Sequence, residues 1–360
     1  MKNTLMNRPL IALTQGDPAG IGPEIIVSAW TDPNLHALCR PLVIGNVEVI
    51  RRAAALIGAP LEVVSIKDPN ELEGTSAVLG CLSAGSRDAA DVAPGKVDPR
   101  GGQAAYDALV AATELALDRA VDAVVTGPLN KAALNAAGHH YPGHTELLGE
   151  LCSVDDVAMM LYLQPRPDMF GPAGLGVVHA TLHMSVADAV RSLRSDRITT
   201  CAHLAHQALS RLGEGRLTGS PRIAVSALNP HAGEDGLFGT EEQEVIAPAV
   251  RACHAAGLAV HGPLPADALM VQARDGQFDA VVAMYHDQGH IALKLLGMHQ
   301  AVNVTLGLPI IRTSVAHGTA FDLAWQGKAE TTGLFEAVRV AVRMVNAESE
   351  SAAETATLSG

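Results

Sequence analysis

Short, almost uninterrupted apolar runs alternate with longer amphipathic stretches along this whole chain, and that alternation admits few folds. RPLIALT at 8–14, PLVIG at 41–45, LEVVSI at 61–66 and DAVVT at 122–126 read as strands buried on both faces, as do 157–163, LGVVHAT at 175–181, RIAVSAL at 222–228 and DAVVAM at 278–284. Helical periodicity fills 22–30, 47–58, 101–120, 144–152, 186–212, 241–256, 287–296 and 330–346. Strands that alternate with helices in this way build βαβ units, so an α/β fold with a mainly parallel sheet is expected. The hydrophilic stretch 84–102 reads as a long surface connection, and the small polar residues at 347–360 as a disordered tail.

The composition narrows the partners. The 360 residues are 48% hydrophobic and only 3% aromatic, which supplies an ample core of small aliphatic side chains and excludes disorder as the main state. A formal charge of −13 lacks the positive footprint that binding to nucleic acid or anionic lipid requires. No stretch reaches the roughly 18 apolar residues of a membrane span, and the N-terminus has no secretory h-region. The five cysteines are far apart, odd in number and without a C-x-x-C pair, so a reducing, cytoplasmic setting is expected.

The residues that follow four of the apolar runs carry the chemistry. RIAVSAL leads into Asn229-Pro230-His231, DAVVAM into Tyr285-His286-Asp287, LGVVHAT into Leu182-His183, and DAVVT into Gly127-Pro128-Leu129-Asn130-Lys131. Carboxyl ends of parallel strands are the edge where open α/β sheets place ligands. His183, His231 and His286 would converge on that rim, and three neutral imidazoles with an open coordination position suit a catalytic divalent metal acting as a Lewis acid. Zinc is the first choice, with cobalt, nickel, manganese and magnesium also compatible. His179 shares a strand with His183 and reads as a supporting neighbour.

A second group suits an anion. Gly143-His144-Thr145-Glu146 opens a helix, where a hydroxyl, an imidazole and free amides can meet a phosphate. Lys294, Asn303 and Arg312 add basic and amide groups in a stretch otherwise poor in charge. Asp267 reads as an acid/base carboxylate, as a metal neighbour or as a helix N-cap. The turn from Gln15 to Glu24, with Gly16, Asp17, Gly20 and Gly22, runs into a helix start as either a structural turn or a ligand loop; its spacing is not the Rossmann fingerprint.

The motifs GDPAGIGPE, TGPLNK, YPGHTE, LNPHAGE, GPLPAD, YHDQG and NVTLGLPIIRTSVAHGTAFDLA, in this order over about 9–346, together resemble the 4-hydroxythreonine-4-phosphate dehydrogenase (PdxA) family. LNKAALNAAGHHYPGHTELL and YHDQGHIALKLLG look closest to its PdxA2-type branch, the D-threonate or D-erythronate 4-phosphate dehydrogenases. The resemblance implies two α/β/α subdomains with a cleft, like isocitrate and isopropylmalate dehydrogenases, here about 1–130 plus 305–346, and 131–304. It implies a homodimer whose metal is held by His183, His231 and His286 drawn from both subunits. It assigns His144, Thr145, Lys294, Asn303 and Arg312 to a phosphorylated substrate, with Lys294 and Asp267 as candidates for the chemistry. Gly16, Asp17, Gly20, Gly22, His317, Gly318, Thr319 and Asp322 are implied to lie at NAD or NADP. The implied reaction is oxidation of the secondary alcohol of a four-carbon 4-phosphorylated hydroxy acid, followed by decarboxylation. Two rivals are a metal-dependent class II aldolase, which would not need the HGTAFD loop, and a non-catalytic sugar-phosphate sensor.

Overall fold

The computed structural model describes residues 8–72 and 75–358, with side chains described through 350. The chain divides into two compact units, Met1–Asp155 with Leu308–Gly360, and Asp156–Gly307. In chain order the strands are β1 (Leu10–Thr14), β2 (Arg40–Gly45), β3 (Glu62–Ile66), β4 (Val78–Ser83), β5 (Ala123–Thr126) and β6 (Ala158–Leu163). They continue as β7 (Leu175–His179), β8 (Ile223–Ser226), β9 (Val260–Leu264), β10 (Ala280–Ala283), β11 (Val302–Leu306) and β12 (Arg312–Val315). The helices are α1 (Gly22–Trp30), α2 (Pro33–Leu38), α3 (Val47–Ile57), α4 (Pro99–Leu117), α5 (Lys131–Ala136) and α6 (His144–Leu151). After them come α7 (Val186–Ser192), α8 (Ser195–Leu212), α9 (Ala247–Ala255), α10 (Ala266–Arg274), α11 (His286–Gly297) and α12 (Thr332–Leu358).

In the first unit the strand order is β3-β4-β2-β1-β5-β12, and every pairing is parallel. Buried Leu10, Ala12, Leu42, Ile44 and Val124 of its strands pack against Ala108 and Ala112 of α4. The apolar runs that predicted strands thus form the middle layer, and α4 covers one face with alanines small enough for close approach. In the second unit the order is β11-β6-β7-β10-β8-β9. Here β7, β10, β8 and β9 are parallel, and β6 runs antiparallel to both of its neighbours, β7 and β11.

The unit boundaries differ from the expected seam at 130/131 because α5 and α6 stay with α4: Leu147 and Leu148 of α6 are buried against Leu109. The predicted helix 186–212 is two helices, α7 capped by Ser185 on the Asp188 amide and α8 beginning at Ser195. The expected tail instead continues α12 to Leu358. The last two residues, 359–360, lie outside the described residues. No helix among the described residues is long and apolar enough to cross a membrane.

Candidate active site

In the second unit β7, β8 and β10 are parallel neighbours, so their carboxyl ends share one edge, as the sequence implied. That edge is stitched together: Gln288 Nε2 donates to Ala227 O (2.7 Å), Gln288 Oε1 accepts from Met284 N (2.7 Å), and Thr181 Oγ1 donates to Met284 O (2.8 Å). His183 and His286 come together with ring centroids 6.0 Å apart. They line an open cavity of about 440 Å³ with Leu182, Met184, Tyr285 and Asp287. His286 Nδ1 lies 2.6 Å from Asp287 Oδ1, a carboxylate contact that leaves Nε2 as the ring's outward nitrogen.

Behind this pair sit two more imidazoles. His290 stacks on His286 at 3.8 Å, and its Nδ1 is 3.0 Å from Nε2 of buried His179. Burial, reinforced by the neighbouring imidazoles, pushes His179 down to about 3 and His290 down to about 4, so both are neutral at pH 7. Gly289 makes this packing possible, because a Cβ there would lie 2.6 Å from His179 Nε2. His179 is therefore buried, in contact with His290.

His231 is placed differently. It begins a run in which His231, Ala232, Gly233, Glu234 and Asp235 all have positive φ, at 52°, 56°, 79°, 45° and 54°. Left-handed backbone costs roughly 1–2 kcal/mol per non-glycine residue, so the turn must be held from outside. Glu242, which sequence reasoning missed, holds it: its carboxylate accepts from Leu228 N (2.8 Å), Asn229 N (2.7 Å) and Asn229 Nδ2 (2.9 Å). Burial alone would raise the Glu242 carboxyl, but these donors pull it below its usual range. The His231 ring lies 6.4 Å from Phe238. Among the described residues of one chain, no group of three or more His, Cys, Asp or Glu is arranged to hold a metal ion. The expected trio thus does not assemble within one chain, which brings together His183 and His286 while His231 faces outward on its own strained turn.

The expected phosphate residues divide between the units. In the first, Arg312 is 1% exposed at the start of β12, and its Nη2 donates to Thr126 Oγ1 (2.5 Å) on adjacent β5. Burial lowers the guanidinium to about 9, which still leaves it charged at pH 7. Desolvation, with Arg312 and Lys131 adding, holds the His144 imidazole well below its ordinary range. His144 opens α6 behind Gly143, and Thr145 beside it is buried. Lys131, the first residue of α5 and absent from the expected set, therefore belongs to the same cationic surroundings; its place in TGPLNK next to a strand end was the available signal. In the second unit Lys294 lies near His290 on α11, and Asn303 on β11 has a buried Oδ1 with no hydrogen-bond partner among the described residues. Asp267 is exposed in the first turn of α10; Pro265 occupies the N-cap, so the capping role is excluded.

The Gly16–Glu24 turn is buried, and Asp17 with it. Gly16 has φ +69°, and a Cβ there would lie 2.4 Å from Pro128 O, which accounts for glycine by packing. Asp17 Oδ1 accepts from Ala19 N (2.8 Å), and burial raises its carboxyl to about 6. The turn is hydrogen-bonded to the second expected loop through Ile21 N to Thr319 O (3.1 Å). Thr319 is buried, while Gly318 and Asp322 are exposed and nothing lies within 4 Å of a Cβ built on Gly318. A loop anchored beneath and open above is a surface that a dinucleotide can approach closely, so these residues fit the cofactor that the resemblance implies.

Parallel strand ends bearing histidines, with a buried arginine beside a helix start, define an α/β enzyme fold of the kind that handles small anionic substrates. The family model "Pyridoxal phosphate biosynthetic protein PdxA" matches residues 37–341, and the chain belongs to that family. It is 45% identical over 333 residues to the D-threonate 4-phosphate dehydrogenase of Cupriavidus necator, covering 92% of this chain and 96% of that one. It is 44% identical over 346 residues to the 4-hydroxythreonine-4-phosphate dehydrogenase of Geobacter metallireducens, covering 96% of this chain and 97% of that one. The crystal structure of 4-hydroxythreonine-4-phosphate dehydrogenase from Klebsiella pneumoniae superposes with a TM-score of 0.81 at 44% identity, covering 94% of this chain and 99% of that one.

Proposed function

We propose that this protein is a nicotinamide-dependent dehydrogenase that oxidises the secondary alcohol of D-threonate 4-phosphate or a close four-carbon 4-phosphorylated hydroxy acid. The observation that carries the reading is buried Arg312, a charged guanidinium oriented by Thr126 next to the α6 start that bears His144 and Thr145. A cation already desolvated attracts a phosphate strongly, since the protein has met part of the cost of drying it. His144, held neutral, donates a ring N–H without adding a third positive charge. In the second unit, Lys294 and Asn303, whose Oδ1 is buried with no hydrogen-bond partner among the described residues, are the groups that the family resemblance assigns to the hydroxy acid. Remote binding of the phosphate orients the alcohol and supplies binding energy to the reacting end.

His183 and His286 of one chain would hold a divalent ion, with His231 of a second copy as the third ligand. Bound there, the ion supplies Lewis-acid polarisation of the substrate hydroxyl. His286 is kept in one tautomer by Asp287, and the neutral His179–His290 pair packs behind it, so the ligand ring is fixed before anything binds. Gly318 to Asp322 would hold the dinucleotide, which when bound would supply the hydride acceptor. The β-keto acid product then loses carbon dioxide. A homodimer is supported by exposed apolar side chains where a partner is needed: Ile291, Leu295 and Met298 along and just beyond α11, and Leu237 and Phe238 next to the His231 turn.

The test is a side-by-side assay of D-threonate 4-phosphate, D-erythronate 4-phosphate and 4-phosphohydroxy-L-threonine with NAD+ and with NADP+. Formation of reduced nicotinamide with stoichiometric dihydroxyacetone phosphate from the first supports the reading. No dinucleotide reduction with any of the three overturns it.

A further inference from the structure

The HGTAFD loop gains its shape from a carboxylate far away in sequence. Glu24, 1% exposed in the first turn of α1, accepts from Trp325 N through one oxygen (2.5 Å) and from Gly327 N through the other (2.7 Å). Trp325 stands at φ +60°, a left-handed conformation that a tryptophan adopts only under constraint. Its indole Nε1 donates to Pro18 O (2.8 Å), and the Arg52 guanidinium lies 3.8 Å above its ring. Arg52 is itself held by Ala90 O and Val92 O. At the other end the loop is tied by Thr319 O to Ile21 N. The segment 319–327 is therefore fastened to the Gly16–Glu24 turn at Thr319, Trp325 and Gly327, while Gly318 and Asp322 are exposed.

We propose that Glu24 is a positioning residue for dinucleotide binding: by seating Trp325 and Gly327 it sets the course of His317–Asp322, the loop read above as the cofactor surface. The inference rests on that reading of the loop. Glu24 touches no substrate itself. Two backbone N–H groups depend on one carboxylate, so removal of that carboxylate leaves both donors unsatisfied next to a strained residue, and the loop relaxes away from its ligand-ready form. A carboxylate in the first turn also suits the positive end of the helix dipole.

The experiment measures reduced-dinucleotide binding to the metal-free full-length protein by energy transfer from tryptophan. The chain has two tryptophans, Trp30 and Trp325, so Trp30→Phe isolates the signal of Trp325. Glu24→Ala is expected to weaken dinucleotide binding at least tenfold and to raise the dinucleotide KM in turnover while the KM for the phosphorylated acid stays within twofold. Glu24→Gln, which keeps one acceptor oxygen and decides the matter should the alanine variant fail to fold, is expected to fall between wild type and Glu24→Ala. Dinucleotide affinity equal to wild type in a folded Glu24→Gln or Glu24→Ala protein overturns the positioning role. Equal losses for dinucleotide and acid overturn it too, because they mark a general loss of structure. Failure of wild-type protein to bind any dinucleotide overturns the cofactor reading itself.

Discussion

Arg312 Nη2 donates to Thr126 Oγ1 at 2.5 Å across two neighbouring parallel strands, β12 and β5. The hydroxyl fixes the direction of a guanidinium that is otherwise walled in by the sheet. Thr126→Val keeps the shape and deletes the acceptor. A hydrogen bond to a charged group contributes about 1.5–3 kcal/mol, so the KM for the phosphorylated substrate should rise roughly tenfold or more. Steady-state kinetics on the purified variant check this, and an unchanged KM would separate Thr126 from substrate binding.

The separation of His231 from the His183–His286 pair within one chain predicts complementation between subunits. His183→Ala and His231→Ala proteins should each be inactive. Mixed after reversible dissociation, they should regain part of the wild-type rate, because some mixed dimers contain one complete ligand set. Chelator-treated wild type should lose turnover and recover it with added divalent ion. Persistent inactivity of the mixture, with dimers shown to have exchanged, would place all three ligands in one chain.

Asp17 predicts a pH-dependent stability effect. Its folded value of about 6 lies above the unfolded value of 3.8, chiefly through burial. Below 3.8 both states are protonated; as pH rises towards 6 the unfolded chain ionises first, and the native state loses up to about 3 kcal/mol. Asp17→Asn keeps the acceptor for Ala19 N and removes the titration. The variant should be more stable than wild type at pH 7.5 and indistinguishable near pH 4. Denaturant melts at both values check this, and a variant less stable at pH 7.5 would contradict it.

Sequence pattern revealed the fold where burial alone chooses residues. The eight apolar runs became β1, β2, β3, β5, β6, β7, β8 and β10; strands covered on both faces must be apolar throughout, and only edge strand β3 alternates buried with exposed residues. The four strands not anticipated carry other demands. β12 begins with buried Arg312, β11 contains Asn303, β9 is an edge strand that tolerates Pro263, and β4 holds Gly80, whose Cβ would lie 2.7 Å from Leu72.

At the site, strand ends pointed to a neighbouring placement of His183 and His286, whose ring centroids lie 6.0 Å apart. They could not show that His231 leaves its strand on a left-handed turn, since four of the five residues in that turn are not glycine. Glu242 and Glu24 were equally hidden. Each stabilises a loop through backbone N–H groups, and such partners leave no mark in sequence spacing.

The central claim is that the protein oxidises a hydroxy acid that it recognises by its phosphate. The most direct measurement is kcat/KM for D-threonate 4-phosphate against D-threonate, followed as reduced nicotinamide in the metal-loaded wild-type enzyme. The account predicts a preference of at least about a hundredfold for the phosphorylated acid, and its collapse in Arg312→Ala. Comparable kcat/KM values for the two acids, or an Arg312→Ala enzyme that keeps the full preference, would contradict it.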